Sequence, residues 1–79
     1  MDYKNALVEY IRDEFVRNRK AIIKDDEDLL SSGVIDSLGI LKMVSFIEER
    51  FGIQIPGEDV VYENFCSVEA MSRYLAGQE

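Results

Sequence analysis

Apolar residues recur with the spacing of an α-helix in three stretches of this chain. The pattern predicts three main helices and one short helix, at about residues 2–18, 37–51, 57–61 and 67–76. No internal repeat, and no linker rich in glycine, proline or serine, divides the chain. The predicted fold class is therefore all-α: a small antiparallel helical bundle that forms a single domain over residues 1–79.

The two outer helices each have one apolar stripe and a residue suited to cap the first turn. In the first helix the stripe consists of Tyr3, Leu7, Ile11 and Phe15. In the last helix it consists of Val68, Met71 and Leu75. Asp2 and Ser67 precede these helices, and both residue types are preferred at N-caps. We expect both stripes to face a shared core.

The second helix has apolar residues on two faces. One row consists of Ile40, Val44, Ile47 and Phe51, with Met43 beside it. The other row, on a different face, consists of Leu38, Leu41 and Ser45. Gly52 follows the helix, where a left-handed C-cap is easiest for glycine. A helix that is apolar on two faces contacts either two core neighbours or one core neighbour and a visiting partner.

Composition and charge narrow the function classes. The 79 residues carry a net charge of −7, with +1 over residues 1–20 and −8 over residues 21–79. The acidic segment 21–79 is a poor match for nucleic acid, because binding phosphate groups needs a basic face. A basic protein surface is a better partner, since opposite charges attract. The longest apolar runs have three residues, so no membrane span is predicted, and no export signal is visible. A cytoplasmic location is therefore expected.

The predicted loop over residues 21–36 contains an acidic run, Asp25–Asp28. A calcium-binding EF-hand needs glycine at its sixth position and glutamate at its twelfth. Counted from Asp26, those positions hold Ser31 and Ser37, so we expect a solvated loop and no metal site. Four apolar residues are expected to hold the loop against the core: Ile22, Leu29, Leu30 and Val34.

Two side chains raise questions of chemistry. Cys66 is the single cysteine, which excludes an internal disulfide, and we expect it to be structural. Ser37 follows Asp36 at the predicted start of the second helix, in a chain without histidine. A nucleophilic serine needs a neighbouring base, so Ser37 is not expected to be a catalyst. Either Asp36 or Ser37 caps the helix, or another protein modifies Ser37, where a helix N-terminus favours a phosphate group.

Residues 33–56, GVIDSLGILKMVSFIEERFGIQIP, resemble the acyl carrier and peptidyl carrier proteins. The resemblance rests on Asp36-Ser37-Leu38 at a helix start, on Glu48-Glu49-Arg50-Phe51 at its end, and on Ile55-Pro56 before a short helix. It implies that a phosphopantetheinyl transferase attaches 4′-phosphopantetheine to Ser37. The arm then carries an acyl or aminoacyl group as a thioester, and the protein is a carrier rather than an enzyme.

The resemblance also implies partners and a docking surface. The partners are an acyl- or aminoacyl-loading ligase and downstream acyl-transfer enzymes, and the protein is expected to be a monomer. The implied docking surface consists of Asp36, Leu38, Leu41, Lys42, Ser45 and Glu49.

Two positions depart from the fatty-acid-synthesis type of carrier. Gly39 and Lys42 stand where that type usually has acids, and the segment GEDVVYENFCS after Pro56 is longer. These differences favour a carrier for a dedicated biosynthetic pathway. Two alternatives stay open: an aminoacyl or peptidyl carrier that serves an adenylating enzyme, and an acidic interaction domain that is never modified.

Overall fold

The computed structural model describes residues 2–78, which form helices and no strand. This confirms the predicted all-α fold class. A 3-10 turn at Gly57–Asp59 accompanies four α-helices. The helices are α1 (Tyr3–Ile11, continued by a π-helical turn at Arg12–Val16), α2 (Ser37–Phe51), α3 (Tyr62–Phe65) and α4 (Val68–Ala76).

The predicted caps of the three longer helices are present. Asp2 Oδ1 accepts a hydrogen bond from the Asn5 backbone N–H at 3.1 Å. Ser67 Oγ accepts one from the Ala70 backbone N–H at 3.0 Å. The helix α2 is capped by Asp36, and it ends at Gly52, whose φ of 69° is left-handed as predicted. Each cap satisfies an N–H group that has no partner within its own helix.

Two predicted boundaries were wrong. The first helix was expected to reach residue 18, but its last turn widens into a π-helix and ends at Val16. Arg17 then adopts a left-handed φ of 57°, and its N–H donates to the Arg12 carbonyl at 2.7 Å. This wide closing turn is a tertiary feature that helical periodicity does not encode.

In place of the single short helix expected at 57–61, the structure has two separate short elements. The 3-10 turn stops at Asp59, and α3 occupies residues that were predicted to be a loop. Val60 and Val61 separate the two elements, and Val61 is extended (φ −127°, ψ 161°). β-branched residues have a slightly lower helix propensity, and the interruption falls at two of them.

The core forms where α1, α2 and α4 meet. The outer helices bury their predicted stripes, except that Phe15 is only partly buried. The row predicted for α2 is less uniform, because Met43 and Ile47 are fully buried whereas Phe51 is partly exposed. The α2 face that meets the core is therefore centred on Met43 and Ile47 rather than on Ile40 and Val44, which are partly buried.

The long loop is anchored by two buried residues, Leu29 and Ile35. The Leu29 N–H donates to the Cys66 carbonyl at 2.7 Å, and the Ile35 N–H donates to the Leu29 carbonyl at 3.0 Å. Ile22 was predicted to be an anchor, and this was wrong: its exposed fraction is 86%. The neighbouring Ile23 packs against the core instead. Side chains one residue apart in an irregular segment point in different directions, and composition alone does not select between them.

Contacts between α1 and α2 set their relative direction. The ring centroid of Tyr3, at the start of α1, lies 4.9 Å from the ring centroid of Phe51, at the end of α2. At the other end of this helix pair, the Phe15 ring lies against Gly39, in the first turn of α2. The two helices are therefore antiparallel, and the chain leaves the π-helical turn beside the first turn of α2.

The two faces of α2 predict different costs for truncating a side chain. Ile47 is fully buried, so Ile47→Ala should destabilise the protein by about 2–5 kcal/mol. Leu41 is 62% exposed, so Leu41→Ala should change the free energy of unfolding by no more than about 0.5 kcal/mol. Urea denaturation of both variants measures this. Equal losses would show that the assignment of faces is wrong.

Candidate functional site

Ser37 is the first residue of α2, and its side chain is exposed. Asp36 Oδ1 caps the helix by accepting a hydrogen bond from the Gly39 N–H at 2.7 Å. The backbone ladder of α2 starts with the Ile40 N–H, which donates to the Asp36 carbonyl at 2.9 Å. The N–H groups of Ser37 and Leu38 precede that bond, at the positive end of the helix dipole. Asp36 therefore takes the capping role, and the Ser37 hydroxyl is left accessible.

An apolar groove of about 370 Å³ opens beside Ser37. It is lined by Leu30, Gly33, Ile35, Asp36, Ser37 and Ile40. Gly33 has a left-handed φ of 83°, which reverses the chain ahead of α2. The groove therefore lies between the end of the long loop and the first turn of α2.

Gly39 explains how the first turn of α2 is held in place. A Cβ atom at this position would lie 2.8 Å from Phe15 Cε1 and 3.0 Å from Ile35 Cγ2. Glycine inside a helix costs up to about 1 kcal/mol relative to alanine, and here it allows the Phe15 ring to approach the backbone closely. Gly39 is consequently buried, so an acid at this position would not lie on the surface beside Lys42.

The structure brings four of the predicted docking residues together along one groove. Leu41, Lys42, Ser45 and Glu49 line a groove of about 330 Å³, together with Tyr10 and Phe46. Of the remaining two, Leu38 is 71% exposed and follows Ser37 directly, and Asp36 is exposed ahead of it. The predicted docking residues therefore form one group at the helix start and another along the adjoining face of α2.

Sequence reasoning missed the aromatic floor of this groove. The rings of Tyr10 and Phe46 stack with centroids 4.1 Å apart, and Tyr10 Oη donates to the Lys42 carbonyl at 3.3 Å. Burial raises the pKa of Tyr10, and the carboxylates of Glu14 and Glu49 raise it further. Phe46 could have been found, because it shares the helical spacing of residues 42, 45 and 49. Its stacking on Tyr10 could not be predicted, because it depends on how α1 and α2 pack together.

The acidic loop residues make local hydrogen bonds. Asp28 Oδ1 accepts from the Ser31 N–H at 2.9 Å, and Asp28 Oδ2 accepts from Tyr62 Oη. The Ser31 N–H and the Tyr62 hydroxyl both lower the pKa of Asp28. Over residues 2–78, no group of three or more acidic, cysteine or histidine side chains is arranged to hold a metal ion. Over the same residues, no helix has the length and apolar character needed to cross a membrane.

Comparison with known proteins identifies the family of the chain. Residues 5–75 match the family model described as "Phosphopantetheine attachment site". The chain belongs to the phosphopantetheine-binding carrier family. Membership confirms the predicted cofactor and the predicted function, a carrier that presents acyl or aminoacyl groups to partner enzymes. It also favours that function over an interaction domain that is never modified.

Named relatives of this carrier share more than a third of the aligned residues. The D-alanyl carrier proteins of Streptococcus suis (strain 98HAH33) and Streptococcus sanguinis (strain SK36) are each 36% identical over 56 residues. Each alignment covers 71% of this chain and 68% of the relative. A chain in the solved structure described as "Crystal structure of FAD-dependent dehydrogenase" has a TM-score of 0.79 at 20% identity. That match covers 87% of this chain and 97% of the other, and it shows a shared fold.

The contact between Phe15 and Gly39 can be tested with a double-mutant cycle. Gly39→Ala should destabilise the carrier, although alanine is the better helix former by about 1 kcal/mol, because the new methyl group collides with the Phe15 ring. In a Phe15→Ala background the same change should cost less, because the closest contact is gone while the approach to Ile35 Cγ2 at 3.0 Å remains. We expect a coupling energy of about 0.5–3 kcal/mol from thermal or urea denaturation. An identical effect of Gly39→Ala in both backgrounds would contradict the contact.

Proposed function

We propose that Ser37 is the residue that carries the phosphopantetheine arm. The observation that supports this most directly is the division of roles at the start of α2. Asp36 makes the capping bond, and the exposed Ser37 hydroxyl takes part in none of the hydrogen bonds found over residues 2–78. A residue needed only as a cap would have its oxygen bonded to the backbone, as Ser67 has.

The surroundings of Ser37 fit a phosphodiester. The free N–H groups of the first turn and the helix dipole favour a negative charge there. Ser37 Oγ forms the new P–O bond to the phosphopantetheine phosphate of coenzyme A, the pyrophosphate bond breaks, and adenosine 3′,5′-bisphosphate leaves. The serine proton passes to a base of the transferase, since this chain contains no histidine. The arm, once attached, supplies a thiol that holds cargo as a thioester. The carrier itself is proposed to have no catalytic activity.

The cargo we propose is a small aminoacyl group, loaded by an adenylating ligase. The support is the name that the relatives share, D-alanyl carrier protein. A short cargo also suits the site, because the neighbouring groove is open to solvent at Ser37 and the bundle interior is filled by buried side chains such as Met43 and Met71. We further propose that residues 1–79 act as one carrier domain, as a monomer in the cytoplasm.

We also propose that enzymes acting on the arm dock on the exposed face of α2. The residues involved are Asp36, Leu38, Leu41, Lys42, Ser45 and Glu49. Leu38 and Leu41 are large apolar side chains that remain mostly in solvent, at 71% and 62% exposure. An exposed apolar surface that is rimmed by polar residues is a mark of protein interaction sites.

Attachment at Ser37 can be tested by intact-protein mass spectrometry. Incubation with coenzyme A, magnesium and a promiscuous phosphopantetheinyl transferase should add one phosphopantetheine group to the wild-type chain. Ser37→Ala should abolish the addition, because it removes the hydroxyl placed at the start of α2. Ser72→Ala is the matched control, a serine of α4 outside the proposed docking face, and should be modified normally. Modification that persists in Ser37→Ala would refute the assignment.

Partner choice can be tested through Lys42. The sequence comparison with fatty-acid carriers pointed to Gly39 and Lys42 together, but Gly39 is buried under Phe15, so only Lys42 can contact a partner. The acylated wild-type protein should be a poor substrate for a housekeeping ketoacyl synthase with a basic docking patch. Lys42→Glu should improve kcat/KM by about 2- to 30-fold.

The control for this test is Arg73→Glu, which makes the same change in net charge on α4. It should have little effect on kcat/KM. The gain from Lys42→Glu should shrink at high salt, because exposed charges are screened. Wild-type protein that works as well as a housekeeping carrier would contradict the proposal of a dedicated pathway, while leaving attachment at Ser37 untouched.

A further inference from the structure

Residues 17–24, which we call the basic strap, differ in charge from the rest of the protein. The strap reads RNRKAIIK and contains four of the nine basic residues of the chain and none of the sixteen acidic ones. Its four cationic side chains are all exposed. Over residues 2–78, the ion pairs include one from the strap, between Arg19 and Asp13 at 3.8 Å. The other strap cations make no ion pair within the described residues.

The strap also presents an apolar side chain to solvent. Burial alternates over its last four residues, so that Ala21 and Ile23 are partly covered whereas Ile22 and Lys24 are exposed. Ile22 is 86% exposed, more than any other large apolar side chain over residues 2–78. A single exposed isoleucine is ordinary on a protein surface. Here, however, it lies between two lysines, and the inward-facing Ile23 holds the segment against the core.

The position of the strap relates it to Ser37. It begins directly after the π-helical turn, whose Phe15 ring packs on Gly39 in the same helical turn as Ser37. It ends before Asp25, whose carboxylate pairs with Lys4 Nζ at 3.2 Å, near the start of α1. The strap therefore runs along the bundle from the end that carries Ser37 toward the opposite end.

The charge sequence around the strap restricts what can bind it. The acidic run Asp25–Asp28 follows the strap immediately, and the whole chain carries a charge of −7. A uniformly anionic surface, such as a lipid bilayer, would attract the strap and repel the adjoining segment and the rest of the protein. A protein surface can instead place acidic groups opposite the strap and basic groups elsewhere, since interface potentials are complementary patch by patch.

We propose that the basic strap is a second docking surface for the ligase that loads the arm, in addition to the exposed face of α2. This inference rests on the proposed function of the carrier. The ligase surface is expected to have acidic side chains opposite Lys20 and Lys24, and an apolar recess for Ile22. Because these contacts lie away from the reacting thiol, they affect encounter and binding rather than the chemical step.

The test uses the full-length chain, modified at Ser37, and the adenylating ligase that loads the wild-type protein. Lys20→Glu with Lys24→Glu should raise the KM for the carrier by about tenfold, with kcat unchanged, because two attractive contacts become repulsive. Ile22→Ala should raise KM by about threefold. Raising the salt concentration should weaken binding of the wild-type carrier more than binding of the double variant.

The matched control is Arg50→Glu with Arg73→Glu, which lowers the net charge equally at exposed positions outside the strap. Its KM should stay within about twofold of the wild-type value. An unchanged KM in the strap variant, or an equal rise in the control, would overturn the proposal.

A parallel sedimentation assay uses vesicles of phosphatidylglycerol and phosphatidylcholine. Vesicle binding that the strap variant loses, with loading unaffected, would also overturn the proposal, in favour of a lipid surface. The wild-type chain should stay in the supernatant. Mass spectrometry of Ser37 keeps this test separate from the proposed function, because strap variants should be modified as completely as the wild-type chain.

Discussion

The packing of the Phe15 ring on Gly39 joins the end of the first helix to the beginning of the second, and the candidate site depends on it. Asp36 caps α2 through the Gly39 N–H, so the same residue receives both the ring and the capping bond. Ile35, buried on the other side of the contact, fixes the end of the long loop. These constraints leave Ser37 at a fixed helix start with its side chain in solvent, as the proposed attachment of the arm requires.

The helix α2 separates stability from function by its two faces. Met43 and Ile47 are fully buried and contribute to the only sizeable core that a domain of this length can form. Leu38 and Leu41 lie on other faces and bury little surface in the isolated carrier. If partners dock on this exposed face as proposed, substitutions there change partner choice and leave the residues that keep the helix packed unaltered.

Electrostatics and hydrogen bonds organise the region between α2 and α4. Tyr74 Oη donates to Asp59 at 2.6 Å, and desolvation together with this bond raises the pKa of Tyr74 to about 12. Tyr62 makes a similar bond to Asp28, and this bond raises the pKa of Tyr62. Both tyrosines thus stay protonated as donors. Tyr62 links α3 to the long loop, and Tyr74 links α4 to the 3-10 turn. The basic strap, by contrast, has few partners within the protein.

Apart from Ser37, Leu38 and Leu41, which the resemblance to carrier proteins singled out for attachment and docking, the sequence by itself determined the helical class and the capped starts of the three longer helices. These features depend on local spacing and on residue types with strong positional preferences, so they can be predicted without contacts. The tertiary structure decided the π-helical end of the first helix, the exposure of Ile22 instead of Ile23, and the stacking of Tyr10 on Phe46. It also showed that Gly39 lies under Phe15 rather than on the docking surface. Each of these depends on which side chains meet across helices that are distant in sequence, and helical periodicity carries no information about such meetings.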